Sequence, residues 1–337
     1  GSATGTVYVL INATTISGVS DPSPVADSSD LPDKVNFTLV SDIYRFVFAF
    51  GCNDYGSATV DPMLIRWSDQ EDPYNWTPAS TNQAGFLRLS RGSEIVTANQ
   101  SRQEVLVWTD ASLYSLQYVG APVVWGAQIV GENISIVGQN AVAYANGVSY
   151  WMGKDKFYYF DGTVHTLNCD LLKHTFSDFN TDQFGQVFAG TLERYNEVWW
   201  FYCSAGSTTI DRYVVFNYAE TLWYYGTMAR TAWLDSGILS YPIAADYNNR
   251  LLNHEYGVDD NSTGTPAPID AYVQSSDFDI GDGHNFGFVW RILPDVNFNG
   301  SECNNPYVTM TVKPRQNSGS AYGAADNPQV ISAQNYT

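Results

Sequence analysis

Basic residues are scarce in this chain: sixteen Lys and Arg stand against 35 Asp and Glu, a formal net charge of −19. A surface that grips phosphate or an anionic membrane is not expected of such a composition. No apolar run approaches the roughly 20 residues of a membrane helix, and no signal-peptide pattern is visible, so secretion is unsupported. Helical periodicity is also missing. The nearest approach to it, Asp170 to Phe179 (DLLKHTFSDF), predicts one short helix or a loop. The four cysteines, Cys52, Cys169, Cys203 and Cys303, include no CxxC pair and no His at zinc-knuckle spacing, so buried thiols are expected. Nucleophilic catalysis has little to stand on. There is no GxSxG elbow, and His165, His174, His254 and His284 lie in turns or strand ends without a Ser or Cys partner in any motif. His254-Glu255 lacks the second His of HExxH. Cofactors are accordingly not expected.

What the chain has is aromatic residues, 15% of the total, amid abundant Gly, Asn, Ser and Thr, the composition of strands and turns. At 337 residues it can bury a large core without disulfides or metals. Eight Asn-x-Ser/Thr sequons, Asn12 and Asn133 among them, could mark a glycosylated secreted protein. In a chain so rich in these residues, several arise by chance. The sequence lacks an initiator Met and stops at Tyr336-Thr337 without a cap, as expected of one piece of a longer polypeptide.

Aromatic strands recur at a wide, regular spacing: Tyr44 to Gly51, Val105 to Thr109, Val148 to Met152, Glu197 to Tyr202 and Pro242 to Asp246. Trp108 and Trp151 are 43 residues apart, and Trp151 and Trp199 are 48 apart. A four-stranded propeller blade has about this period, ~40 to 50 residues. Each of these strands sits second in a series of four. In the clearest unit, Ala141 to Tyr144 leads through Asn146-Gly147 into Val148 to Met152, then through Lys154-Asp155 into Phe157 to Phe160. Asp161-Gly162 then turns the chain into Val164 to Leu167. Asn-Gly and Asp-Gly favour type I′ hairpin turns, which need positive φ at both central positions. The next unit repeats the plan with Val187 to Leu192, Glu197 to Tyr202, Tyr213 to Asn217 and Leu222 to Tyr225. The second strands are continuously apolar, as strands buried on both faces are. Trp108, Trp151, Trp199 and Trp200 are therefore read as blade core.

The expected fold is all-β: a β-propeller of about five four-stranded blades, with a smaller additional β domain formed by the terminal segments. Residues 1–41 would supply an N-terminal strand and loop to that accessory domain, 42–258 the blades, and 259–337 the C-terminal β segment completing it. Longer strands are expected there at Ile269 to Phe278, Phe286 to Ile292 and Tyr307 to Val312.

Acidic clusters are the remaining chemistry. Asp69, Glu71 and Asp72 crowd one turn in WSDQEDPYNW, Asp259 and Asp260 are adjacent, and Asp277, Asp279 and Asp282 lie in DFDIGDG. The last resembles a calcium loop but has Gly281 at the fifth position and no later Glu in register, so a polar turn is preferred to a metal site. Paired carboxylates with Trp67, Trp76, Trp199 and Trp200 could serve a propeller glycosidase or sialidase, or a carbohydrate-binding receptor-recognition protein. WSDQEDPYNW lacks the Gly and the register of a sialidase Asp-box, and tryptophans in second strands are more often core than platform. The Asp69, Glu71, Asp72 turn is instead the candidate for a channel-facing or subunit-interface surface.

Several long segments carry a family resemblance: Ile65 to Pro78 (IRWSDQEDPYNWTP), Val105 to Gly120 (VLVWTDASLYSLQYVG) and Gly138 to Gly162 (GQNAVAYANGVSYWMGKDKFYYFDG), continued by Arg230 to Trp233 (RTAW) and Asp279 to Asn297 (DIGDGHNFGFVWRILPDVN). Over roughly residues 45 to 315 the chain resembles the phage stabilisation proteins of short-tailed bacteriophages, also called tail nozzle or tail accessory proteins. The resemblance implies a non-enzymatic homo-oligomeric ring, commonly a hexamer, located in the virion tail and assembled in the host cytoplasm. Such a ring closes the channel below the portal and its adaptor or head–tail connector, meets tail fibre or spike and needle proteins, retains packaged DNA and forms the ejection conduit. Genomic DNA would pass without specific binding, and no membrane contact is implied. The family has no catalytic motif to carry over.

Overall fold

The computed structural model describes residues 31–237, 239–260, 265–269, 271–279, 287–301, 304–317, 319–323 and 329–332. The chain divides into two compact units, Gly1–Pro266 and Ala267–Thr337.

The first unit is a β-propeller of consecutive antiparallel sheets, each made from one contiguous stretch of chain. Sheet one holds β1 (Phe37–Ser41), β2 (Phe46–Phe50), β3 (Leu64–Trp67) and β4 (Gly85–Arg88) in that order. Sheet two holds β5 (Ile95–Gln100), β6 (Glu104–Thr109), β7 (Ser112–Gly120) and β8 (Val124–Glu132). Sheet three comprises β9 (Val142–Ala145), β10 (Val148–Met152), β11 (Phe157–Phe160) and β12 (Val164–Leu167). After a short helix α1 (Leu172–Ser177) comes sheet four, with β13 (Phe188–Leu192), β14 (Glu197–Tyr202), β15 (Arg212–Asn217) and β16 (Leu222–Thr227). A fifth sheet has three strands among the described residues, β17 (Ala232–Leu234), β18 (Ile243–Ala245) and β19 (Leu251–Asn253).

The five strands expected at second position, β2, β6, β10, β14 and β18, all occupy it, although β18 (Ile243–Ala245) carries no aromatic residue. The first four are almost wholly buried, and alternation explains why. On β6, Val105 and Val107 pack toward sheet one, while Leu106 and Trp108 pack toward sheet three. On β14, Val198 and Trp200 join the core shared with sheet three, while Trp199 and Phe201 join the core that includes Trp233 of sheet five. Both faces of such a strand are interior, so neither face selects polar residues. The outer strands differ. β16 leaves Leu222, Tyr224 and Tyr225 exposed, and β4 alternates half-buried and exposed residues.

First strands lie side by side around the axis and are hooked one to the next. Asn36, just before β1, donates its Nδ2 to Ile95 O of β5 at 3.2 Å. Thr97 Oγ1 of β5 donates to Gln139 O, just before β9, at 2.7 Å. Ala189 N of β13 donates to Asn140 O at 2.7 Å, and Trp233 Nε1 of β17 donates to Thr191 O of β13 at 2.8 Å.

Three expectations need correction. Residues 37–41 belong to the propeller and not to an accessory domain, because Phe37–Ser41 pairs residue for residue with Phe46–Phe50. The type I′ reading holds at Asn146-Gly147, with φ of 49° and 83°. It fails at Asp161-Gly162, where three residues link β11 to β12 and only Gly162 has positive φ (124°). In the second unit, Tyr307–Met310 pairs with Gln329–Ser332. The described parts of Ile269 to Phe278 and Phe286 to Ile292 form no long strands: Ala267–Pro268 ends before Ile269, and no regular element covers the rest. Among the described residues, the apolar density there is not matched by a pairing partner. Most of residues 1–36, expected in the accessory domain, lies outside the described residues, as do Cys303, His284 and Asp282 of DFDIGDG.

Candidate functional site

The acidic turn follows β3. Trp67 and Trp76 at its two ends are 2% and 1% exposed, which makes them core anchors and removes them as sugar platforms. Trp67 Nε1 donates to Gln83 O at 2.9 Å, and Trp76 Nε1 donates to Pro73 O at 2.8 Å, so both indoles pin the loop. Between them, Asp69, Gln70 and Glu71 line an open cleft of about 630 Å³ with Ser80, Thr81, Asn82, Gln83, Tyr118 and Ala121.

Each carboxylate of the turn is engaged. Asp69 Oδ1 accepts from the backbone N–H of Gln70 at 2.9 Å and of Gln83 at 2.8 Å, tying the turn to a strand-entry segment 14 residues on. Glu71 has φ of 61° and sits opposite Arg45: its N–H donates to Arg45 O at 2.9 Å, and its Oε1 meets Arg45 Nη1 at 2.5 Å. Asp72 Oδ1 accepts from Tyr74 N at 3.1 Å, a local turn bond. An amide relay completes the wall, with Gln83 Nε2 donating to Gln70 Oε1 at 3.0 Å and Tyr118 OH donating to Gln83 Oε1 at 2.8 Å. The ring of Tyr118 stacks on Tyr44 at 4.8 Å, which anchors this wall to the core between sheets one and two. A carboxylate held by two N–H groups is poorly placed to shuttle protons. What the cleft offers chemically is a broad acidic and amide surface.

The four candidate core tryptophans are where the sequence puts them: Trp108, Trp151 and Trp200 are fully buried and Trp199 is 8% exposed.

Two polar groups have surroundings that the sequence did not show: Glu197, which it did not single out, and His254, whose partners it did not give. Glu197 opens β14 half-buried, its Oε2 accepting from Trp199 Nε1 at 2.9 Å and its other oxygen from Tyr224 OH, and burial pushes its carboxyl above the usual range. His254 lies against Trp233, with ring centroids 4.8 Å apart, and accepts a hydrogen bond at Nε2 from Arg230 Nε at 3.0 Å. Burial, reinforced by the Arg230 charge, pushes the imidazole down to about 4. Neither could be read from local spacing, since the partners come from other strands. Cys52 and Cys203 are buried thiols as expected, whereas Cys169 is only half-buried; burial pushes Cys52 and Cys169 up to about 12 and raises Cys203.

Among the described residues, no group of three or more His, Cys, Asp or Glu could hold a metal ion. No helix among them is long and apolar enough to cross a membrane.

No protein-family model matches this chain, and no curated protein matches it. Solved structures do. A protein of Bacteroides fragilis NCTC 9343 described as exported aligns over 64% of this chain and 68% of its own, with 7% identity and a TM-score of 0.33. The N-terminal domain of Nup159 aligns over 68% of this chain and 76% of its own, with 9% identity and a TM-score of 0.31. A chain of the S. cerevisiae Dbp5 complex with Nup159 and Gle1 aligns over 65% and 73%, with 9% identity and a TM-score of 0.29.

Proposed function

We propose that this chain is a structural protein of a short-tailed phage virion, the nozzle or stabilisation ring that closes the portal–adaptor channel, retains packaged DNA and forms the ejection conduit. It works as a homo-oligomeric ring, a hexamer by the family resemblance, contacting the adaptor, the tail fibre or spike, and the needle. It is not an enzyme.

The observation that carries this reading is unburied apolar surface in the second unit. Tyr272, Phe278, Phe288 and Trp290 are 81, 82, 88 and 78% exposed. Four large apolar side chains left this exposed within one small unit favour a working state in which another protein surface covers them. The acidity supports the same reading. With a formal charge of −19, the averaged field repels phosphate, which lets a duplex pass a channel wall without adhering. The engaged carboxylates of the acidic cleft favour this reading over a glycosidase, which needs a free acid and a free base about 5 to 9 Å apart.

Particle mass and DNA affinity test it together. Mass photometry of the full chain should give a closed multiple of the 37.3 kDa protomer, and gel shift should show only weak duplex binding even at low salt. A chain that stays monomeric in the presence of its portal–adaptor complex overturns the ring. Tight, salt-sensitive DNA binding overturns the conduit.

A further inference from the structure

The first strands of four sheets converge on a recess of about 290 Å³, lined by Phe37 and Thr38 of β1, Thr97 and Asn99 of β5, Gln139 and Asn140 before β9, and Ala189 of β13. Its chemistry differs from that of the molecule around it. A chain with 35 carboxylates places none in this lining, and no Lys, Arg or His either.

The polar groups here are also unused. The backbone carbonyls of Gln139 and Asn140 are taken up by Thr97 Oγ1 and Ala189 N, both at 2.7 Å, which fixes the main chain of the rim. The side-chain amides of Asn99, Gln139 and Asn140 and the hydroxyl of Thr38 make no hydrogen bond among the described residues. Each amide offers a donor and an acceptor a little over 2 Å apart on one rigid plane. Three such groups with a hydroxyl, carried on strands and strand entries whose main chain is fixed, form a charge-free array of donors and acceptors. Beside them, Phe37 stacks on Phe50 at 4.8 Å and, with Val142 and Ala189, gives the recess an apolar side.

We propose that this axial recess is a binding site for a neutral pyranose, either a free sugar or the end unit of a glycan. Paired hydroxyls on a sugar ring match the amide donor–acceptor pairs, while the C–H face of the ring packs on Phe37, Val142 and Ala189. The volume lies at the small end of ligand sites, which suits one ring or two. Anionic sugars are disfavoured, because the lining holds no cation and the protein's net charge is strongly negative. This site is independent of the tail reading: it adds a ligand to the propeller whatever the propeller is assembled into.

The test uses the full chain, titrated with the methyl glycosides of glucose, galactose, mannose and N-acetylglucosamine, and with glucuronate and sialic acid as the anionic arm, followed by saturation-transfer NMR. At least one neutral glycoside should bind saturably with Kd on the order of 1 mM, and the anionic sugars should be at least tenfold weaker. Asn99→Ala and Asn140→Ala should each weaken binding by about tenfold, the loss expected when one good hydrogen bond goes. Asn82→Ala, on the acidic cleft, should leave it unchanged. Linear oligosaccharides of the sugar that binds separate the two sources: tighter binding than the methyl glycoside assigns the recess to a glycan end, equal binding to a free sugar. If no neutral glycoside saturates at ten times the expected Kd, or if one binds equally well to the Asn99→Ala, Asn140→Ala double variant, the recess is a solvent-filled axis and the proposal fails.

Discussion

Trp108 of sheet two and Trp151 of sheet three meet edge to face, their ring centroids 5.3 Å apart and their planes at 71°. They hold equivalent places in consecutive sheets, so the recurring tryptophan is the means by which one sheet packs on the next.

The two indoles differ in one polar contact, and stability should show it. Trp151 Nε1 donates to Ser135 O at 3.2 Å, whereas the buried Trp108 Nε1 has no hydrogen-bond partner. Either residue changed to Ala should cost about 3 to 5 kcal/mol. Trp151→Phe should exceed Trp108→Phe by about 1 kcal/mol, the contribution of the bond and of the carbonyl it satisfies. Urea unfolding of the four variants checks the order.

Gly190 is required for lack of space. A Cβ on it would lie 2.5 Å from Trp233 Cδ1, and Trp233 is itself stacked on Trp199 at 5.3 Å with the planes 15° apart. Gly190→Ala should destabilise by about 1 to 3 kcal/mol through overpacking. Combining it with Trp233→Ala should cost less than the sum of the two single changes, since the second removes the clash. A strictly additive double-mutant cycle would contradict this geometry.

His254 makes stability depend on mild acid. Its folded pKa is about 4, below the ordinary unfolded value near 6.5. As pH falls through 6.5 toward 4, the unfolded chain takes up a proton that the folded one refuses, so folding weakens across that window and levels off below it. Glu197 acts in the opposite sense, because its raised carboxyl holds a proton in the folded state that the unfolded state has already lost. His254→Asn should therefore flatten the loss of urea midpoint between pH 6.5 and 4, and Glu197→Gln should steepen it.

In the acidic turn, the three carboxylates are unequal. Asp69→Ala strands the N–H groups of Gln70 and Gln83 and should cost about 1 to 3 kcal/mol. Glu71→Gln breaks a solvent-exposed pair with Arg45 and should stay within about 0.5 kcal/mol. Thermal melts distinguish the two. Glu71 is consequently the position at which the proposed assembly and ejection roles can be probed without an effect on folding.

The strands most legible in sequence are those buried on both faces, where the continuous apolar runs of Val105 to Thr109 and Glu197 to Tyr202 leave little doubt that they are interior strands. Less legible was β1, because Phe37–Ser41 alternates half-buried and exposed residues and its role as an inner strand depends on Ile95 and its neighbours in the next sheet. The acidic turn could be found from WSDQEDPYNW alone. Its binding to Gln83 and the wall formed by Tyr118 could not, since those residues arrive from β4's approach and from β7. The axial amides gave no signal at all: Asn99, Gln139 and Asn140 read as ordinary turn and strand-end residues until two neighbouring sheets bring them together.

Each of the five sheets is built within its own stretch of chain, and each of the first four touches its successor through a first-strand hook and a shared aromatic core. Synthesis on the ribosome can therefore finish one sheet before the next begins, and each finished sheet presents the apolar face on which its follower condenses. Few contacts need to wait for a distant part of the chain, so the barrier to folding is set by the first pair of sheets to meet, and the others add in the order in which they are translated.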